Sequence, residues 1–306
     1  MSTTSTQEPW TTRRLLTWMG DHFASRGIEG HDVMAQVLLG HVLAVEPIML
    51  FTDPDRPTTA EELDRLRPLV RRAADDEPVQ YLVGEGPFLG RPFLVGPEVL
   101  IPRSSSESII QCVLDRHRGG VAGGAVPVIR SVADIGTGSG CLAITLAIHI
   151  PGVRVTATDL STAAIDIARA NARRHGVEDR IDFVVGDGCA PLEAAAPEGG
   201  FDLVVSNPPY IADHTWSTLD ANVREHEPTL ALRGGPEGLD VIRPLLDGIG
   251  SHLASDGMLV LEFGDDQAAP VRAHADGLGL GPSSIVRDMH GDERLLVVDR
   301  SISPTS

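Results

Sequence analysis

From residue 128 onward the chain repeats one pattern: a short apolar run, a polar or glycine-rich break, then a helical stretch. The runs fall at 128–134, 153–158, 181–185, 203–206 and 258–263. The stretches 141–150, 161–175 and 239–253 read as helices placed between runs. A strand that is followed by a helix returns to its sheet as a parallel neighbour, and the helices cover both faces. The fold class expected is therefore α/β, a Rossmann-like and mostly parallel sheet. Two last runs, 284–287 and 295–298, flank Gly291-Asp292 and predict an antiparallel edge strand. Open sheets of this kind bind ligands beyond the carboxyl ends of their strands. The residues that end each run are thus the candidate site.

Four such breaks carry chemistry. The first is Asp134-Ile135-Gly136-Thr137-Gly138-Ser139-Gly140, before the helix at 141–150. Glycines there let a ligand approach the backbone, and the helix start offers free N–H groups. The second is Asp159, an acid placed to accept both hydroxyls of a ribose. The third is Gly186-Asp187-Gly188. The fourth is Ser206-Asn207-Pro208-Pro209-Tyr210, which follows the run Phe201-Asp202-Leu203-Val204-Val205. Proline fixes its own φ and restricts the residue before it, so this turn is stiff. It can offer the Asn207 amide and the Pro208 carbonyl as two fixed acceptors to an NH2 group.

A nicotinamide-binding loop is a rival reading, but its third glycine would fall one place later than Gly140. All four breaks together have the layout of a class I S-adenosylmethionine-dependent methyltransferase acting on a planar nitrogen. An adenine methyltransferase, a small-molecule tailoring enzyme and a non-catalytic cofactor-binding module remain alternatives. Net charge is −18, from 25 basic and 43 acidic residues, which repels phosphate backbones and suits a protein substrate with a basic surface. No nucleic-acid partner is expected. Cys112, Cys141 and Cys189 lack the spacing of a disulfide framework or zinc site, and the histidines form no His-x-x-x-His pair, so no metal is expected either. His214 and His226, near the turn, read as surface or loop residues. No apolar run approaches the length of a membrane span, and residues 1–8 do not read as a secretory signal. A cytoplasmic protein, a monomer without membrane contact, is the expectation.

Ahead of the repeating pattern, 1–9 is expected to be a disordered tail. Helices are predicted at 10–26, with Leu15, Leu16, Trp18 and Met19 on the apolar side, and at 32–45, with Val33, Val37, Leu38, Val42 and Val45. A third follows the turn Asp53-Pro54-Asp55-Arg56-Pro57, with Thr58 or Thr59 as cap, Glu61 or Glu62 as its partner, and Leu63, Leu66, Val70 and Ala73 buried. Residues 10–77 thus read as a small helical domain. Short β-prone runs broken by Gly and Pro make 78–103 a hairpin connector, and 104–306 the catalytic domain. Ser104 to Ser106 begin a helix running to about residue 118, and 119–124 is a flexible break.

On these residues the chain resembles the HemK/PrmC family, the peptide-chain release factor glutamine methyltransferases, over about residues 30–300. The resemblance is carried by Asp53-Pro54-Asp55-Arg56-Pro57, Glu77-Pro78-Val79-Gln80-Tyr81, Gly90-Arg91-Pro92-Phe93, Val99-Leu100-Ile101-Pro102-Arg103, the glycine loop and Asn207-Pro208-Pro209-Tyr210. Glu225-His226-Glu227-Pro228 and Gly234-Gly235-Pro236-Glu237-Gly238-Leu239-Asp240 extend it beyond what adenine methyltransferases share. It implies S-adenosyl-L-methionine as cofactor, held by Gly136, Thr137, Gly138, Ser139, Gly140, Asp159, Asp187, Gly188 and Asn207. It implies a release factor as protein substrate, read at the Gln of its Gly-Gly-Gln loop. Asn207, Pro208 and Tyr210 would be catalytic, and with Pro209, Phe88 and Arg103 would bind the substrate; the helical domain would recognise it. Two departures stand out. Ser104-Ser105-Ser106-Glu107 replaces the family's Pro-Glu-Thr-Glu, and Leu89 follows Phe88 where the family has an aromatic. The related branch that acts on a large-subunit ribosomal protein also has Ser after Pro-Arg. The serines are expected either to cap the helix or to mark a changed substrate.

Overall fold

The structure, a computed structural model, describes residues 9–119 and 128–302. Most of the tail expected at 1–9 and most of the break expected at 119–124 lie outside the described residues. The described chain divides into two compact units: one spans residues up to Gly84 together with Ala221–His226, the other Glu85–Asp220 and Glu227 onward.

The first unit is helical. α1 (Thr12–Ala24), α2 (His31–Leu43), α3 (Ala60–Ala74) and the short α4 (Val79–Val83) close on one apolar core. Leu15, Met19 and Phe23 recur at four-residue spacing and form the buried stripe of α1. Trp18, expected on that side, lies on the outer face, stacked flat on His22 at 5.1 Å. In α2 the stripe is Ala35, Leu38, Leu39 and Val42, while Val33 is 63% exposed and Val45 lies past the helix end. Helix α3 starts where expected, with the choice of cap resolved. Thr59 accepts from the Glu62 amide at 3.2 Å, and Glu62 accepts from the Thr59 amide at 2.8 Å. Arg56 clasps the same Glu62 carboxylate through both of its terminal nitrogens.

The expectation of β-structure from residue 78 is corrected over 79–83, which is helix α4. Pro78 sets the extended entry, Gly84 ends the helix in the left-handed region, and Leu82 is buried in the helical core. A helix that buries one face outweighs the β-propensity of its two valines.

The second unit opens with the hairpin β1 (Glu85–Phe88) and β2 (Arg91–Leu94), closed by Leu89 and Gly90, both at positive φ. α5 (Ser104–Gly119) leads to the sheet: β3 (Ser131–Ile135), β4 (Arg154–Asp159), β5 (Ile181–Val185), β6 (Phe201–Ser206), β7 (Leu253–Glu262), β8 (Ser283–Arg287) and β9 (Glu293–Asp299). Their order is β5-β4-β3-β6-β7-β9-β8. The first five are mutually parallel, and β9 and β8 close the edge antiparallel. α6 (Cys141–His149) and α7 (Thr162–Arg174) are crossovers. Alternate residues feed two cores: Val132, Leu203 and Val205 face one, with Ile109, Ile144 and Leu146; Ala133 and Val204 face the other, with Ile242, Leu246 and Val271. This two-sided burial is why the central strands read as unbroken apolar runs. The last helix before β7 is shorter than expected, Ile242–Ile249.

The capping box yields a direct test. Thr59→Ala is expected to cost about 1 kcal/mol of helical-unit stability, and Thr59→Ser almost none. Chemical denaturation checks this; equal midpoints for all three proteins would show that the cap contributes nothing.

Candidate active site

Parallel pairing sets the site. Ile135 is the register partner of both Thr158 on β4 and Ser206 on β6. The glycine loop, Asp159 and the Asn207 turn therefore leave three neighbouring strands at one level. The Ser206 hydroxyl donates to the Ile135 carbonyl at 2.8 Å, fastening β6 to β3 where both strands end.

The loop is anchored from below. The amides of Gly136 and Thr137 both donate to the Thr158 carbonyl, and the Gly138 amide donates to Asp159 Oδ2 at 2.9 Å. The Thr137 hydroxyl turns inward to Asp134 at 2.7 Å, and the Ala143 amide donates to the same oxygen. Ser139 is buried, with its carbonyl accepting from Asn171 Nδ2. Gly140 is needed for packing: a Cβ there would lie 2.9 Å from Ile144 and 3.1 Å from Ala168. Gly136 and Gly138 differ, since both have positive φ and a Cβ on either would meet no atom within 4 Å. Their open side is a cradle where a ligand can lie against the backbone. Asp159 Oδ1 accepts from the Ser161 amide, so each carboxylate oxygen has one partner and lone pairs to spare for a diol. The Gly186 amide donates to the Asp159 carbonyl, drawing the third break alongside. There Asp187 is exposed and Gly188 has positive φ. These residues fit S-adenosylmethionine, with Gly136, Gly138 and Asp159 presenting open atoms; the Thr137 side chain and the Ser139 carbonyl instead support the loop.

The Asn207 turn is clamped on several sides. Asn207 Nδ2 donates to Ser106 Oγ at 2.7 Å. Pro208 is buried. The Tyr210 hydroxyl donates to Glu262 at 3.2 Å, and its carbonyl accepts from Gln267 Nε2 at 2.9 Å. Burial next to Glu262 pushes the Tyr210 phenol well up, so it stays a neutral donor. The segment 234–240 wraps this turn so closely that a Cβ on Gly238 would lie 2.2 Å from the Tyr210 carbonyl oxygen. Glu227 is buried, accepts from the Ile101 amide at 3.1 Å and pairs with Arg103. That pair anchors the strand-to-helix approach at 101–103 and occupies one side of the Arg103 guanidinium.

One expected substrate contact falls elsewhere. Phe88 is 1% exposed and packs edge-on against Phe93 in the core. Its neighbour Leu89, 40% exposed at the hairpin tip with its amide bonded to Glu107, faces solvent instead. The serines begin α5, but the hydroxyls of Ser105 and Ser106 reach Glu262 rather than capping the helix. Glu262 escaped the sequence reading. Its signal was a lone acid inside the apolar run 258–263, at the carboxyl end of a strand. Gln267 carries no local signal; only the fold brings it to the turn, as it brings Glu227 to Ile101 and Arg103.

Asp134, beneath the loop, has no exposure, and burial pushes its carboxyl up to about 7. A carboxyl raised on folding contributes stability in full below its unfolded pKa of about 3.9 and loses it as pH rises through the folded value. Asp134→Asn should therefore flatten the decline in melting temperature between about pH 4 and pH 7. A slope identical to wild type would contradict this assignment.

Comparison with known proteins agrees with this layout. Residues 14–84 match the family described as the PrmC N-terminal domain, and residues 125–230 the methyltransferase small domain. A methyltransferase domain implies S-adenosylmethionine as methyl donor. The release factor glutamine methyltransferase of Chlorobaculum tepidum is 42% identical over 87% of this chain and 90% of its own. That of Rhodopirellula baltica is 34% identical over 98% and 100%. Among solved structures, the hMettl16 catalytic domain in complex with a MAT2A 3'UTR hairpin aligns with a TM-score of 0.54 at 15% identity, over 80% of this chain and 83% of that one. A methyltransferase from Pyrococcus furiosus aligns at 0.51 and 20% identity, over 80% and 100%. At such identity these two speak to the fold alone, a class I methyltransferase sheet. With relatives this similar along almost the whole length, the chain belongs to the release factor glutamine methyltransferase family.

Proposed function

We propose that this protein transfers a methyl group from S-adenosylmethionine to the side-chain amide nitrogen of a glutamine, that of the Gly-Gly-Gln loop of a peptide-chain release factor. One observation carries the chemistry: the Asn207 amide stands beside the glycine cradle on an adjacent strand, with its NH2 end already taken by Ser106. Its oxygen is thereby left for an incoming donor. The names of the relatives support the substrate, and a net charge of −18 favours a basic protein surface over a nucleic-acid backbone.

When bound, S-adenosylmethionine supplies an electrophilic methyl group on a sulfonium. The chain's own residues do the rest. Gly136 and Gly138 admit the donor against the backbone, and Asp159 holds its ribose. Asn207 Oδ1 and the Pro208 carbonyl accept the two N–H groups of the glutamine amide. An amide nitrogen is a weak nucleophile because its lone pair is delocalised into the carbonyl. Holding both hydrogens turns that lone pair toward the methyl group, and orientation of this kind is worth about 7–11 kcal/mol in favourable cases. Transfer of the methyl group from sulfur to nitrogen would place positive charge on that nitrogen, and the two fixed oxygens of Asn207 and Pro208 would stabilise it. The surplus proton then leaves the nitrogen for solvent. Tyr210 walls the planar amide, its ring fixed by the bond to Glu262. Arg103 and Pro209 complete the approach.

Asn207→Ala should lower methyl transfer by about 10²-fold or more, out of proportion to any change in the cofactor dissociation constant. Asp159→Ala should do the reverse, weakening cofactor binding. Labelled S-adenosylmethionine offered with release factor, ribosomal protein, nucleic acid and free amide metabolites reads the acceptor directly. Near-normal turnover of the Asn207 variant, or label appearing on an acceptor other than release factor, would refute this reading.

A further inference from the structure

Asn207 is joined to a carboxylate on the neighbouring strand. Ser206 on β6 pairs with Leu261 on β7, which brings Glu262 alongside Asn207. Glu262 has no exposed surface. Its Oε2 accepts from the Ser106 hydroxyl at 2.7 Å, and its Oε1 from Ser105 at 2.9 Å and Tyr210 at 3.2 Å. Three donors converge on one buried acid, and only Ser106 continues further, to Asn207.

A hydroxyl has one proton and two lone pairs. With its proton given to Glu262, Ser106 meets Asn207 only as an acceptor. The end of the Asn207 amide facing it must then be NH2, and Oδ1 must face away. Among the described residues no donor meets that Oδ1. The two ends of an asparagine amide are nearly equal in size, so sterics cannot choose between them; only the hydrogen-bonding partner can. Resting on the function proposed above, we propose that Ser106 and Glu262 are positioning residues that fix which end of the Asn207 side chain meets the acceptor nitrogen. A glutamine NH2 brings two donors. Facing the oxygen of Asn207 it is held; facing the NH2 it is repelled.

The choice of an acid at position 262 follows from the same bookkeeping of donors. A carboxylate accepts from all three hydroxyls and donates to none. A neutral amide in its place carries an NH2 of its own. That group would donate to Ser106, turn its hydroxyl toward Asn207, and draw Oδ1 inward. Burial pushes the Glu262 carboxyl up, and the three hydroxyl donors and the charge of Arg294 oppose that push.

Four proteins test this: wild type, Ser106→Ala, Ser106→Thr and Glu262→Gln. The first readout is steady-state transfer to a Gly-Gly-Gln peptide, with cofactor affinity from calorimetry. Ser106→Ala and Glu262→Gln are expected to lower kcat by about 10²-fold with the cofactor dissociation constant within about twofold, and Ser106→Thr to recover most of the rate lost in Ser106→Ala. The second readout needs no turnover. In nitrogen-15 spectra, the Asn207 side-chain NH2, assigned from its disappearance in Asn207→Ala, should show one slowly exchanging proton in wild type and Ser106→Thr. That protection should vanish in the other two. Unchanged protection in Ser106→Ala overturns the proposal. So does a parallel loss of rate, cofactor affinity and melting temperature, which marks a merely structural contact. If wild type modifies no glutamine peptide, the proposed function fails, and the exchange readout alone decides on Ser106 and Glu262.

Discussion

The second unit depends on the parallel pairing of β3 with β4 and β6. Parallel strands end on the same edge, and their helical crossovers leave that edge uncovered. Three of the four chemistry-bearing breaks follow strands of this set, and the fourth, at 186–188, follows β5, the parallel neighbour of β4, so one parallel register brings them together. The bond from Ser206 to the Ile135 carbonyl and the pair of amides on the Thr158 carbonyl fix that register at its outer end. A slip of one residue would turn the alternating side chains of β3 and β6 into the opposite cores. It would also move the cradle relative to the Asn207 turn, so the packing of the cores and the geometry of the site are one constraint.

Much of this was legible in the sequence because burial on both faces leaves a strong mark. The runs at 128–134, 153–158 and 203–206 could hardly be anything but central strands, and the closing hairpin followed from Gly291-Asp292. The helical unit was legible in outline, with errors where a side chain serves the surface. Trp18 stacks on His22 outside the core, and Val33 is exposed, because periodicity alone cannot tell a wide apolar face from a buried one. The segment 79–83 was misread because its β-prone residues are short-range signals, while the burial that makes it a helix is a long-range one.

The site divides along the same line. The four breaks were found because glycine, proline and acid at strand ends are local features. What holds them was not. Glu227 reaches back to Ile101 and Arg103 across more than a hundred residues, and Ser105 and Ser106 meet Glu262 over a still longer separation. The sequence also suggested that the serines cap a helix or alter the substrate. The hydroxyls of Ser105 and Ser106 satisfy a buried carboxylate rather than capping the helix, and that carboxylate would otherwise be costly to hold in an apolar interior. Leu89, raised only as a departure from the family pattern, proves to be the exposed tip of the hairpin, whereas Phe88 belongs to the core.

The central claim is that the glutamine amide is oriented by two fixed oxygens, at Asn207 and Pro208. A crystal structure with S-adenosylhomocysteine and a Gly-Gly-Gln peptide tests it most directly. The account predicts the glutamine nitrogen within hydrogen-bond distance of both Asn207 Oδ1 and the Pro208 carbonyl, with the cofactor sulfur on the line its lone pair defines and Ser106 still bonded to Asn207 Nδ2. A glutamine nitrogen bound away from those oxygens, or facing the Asn207 NH2, would contradict it.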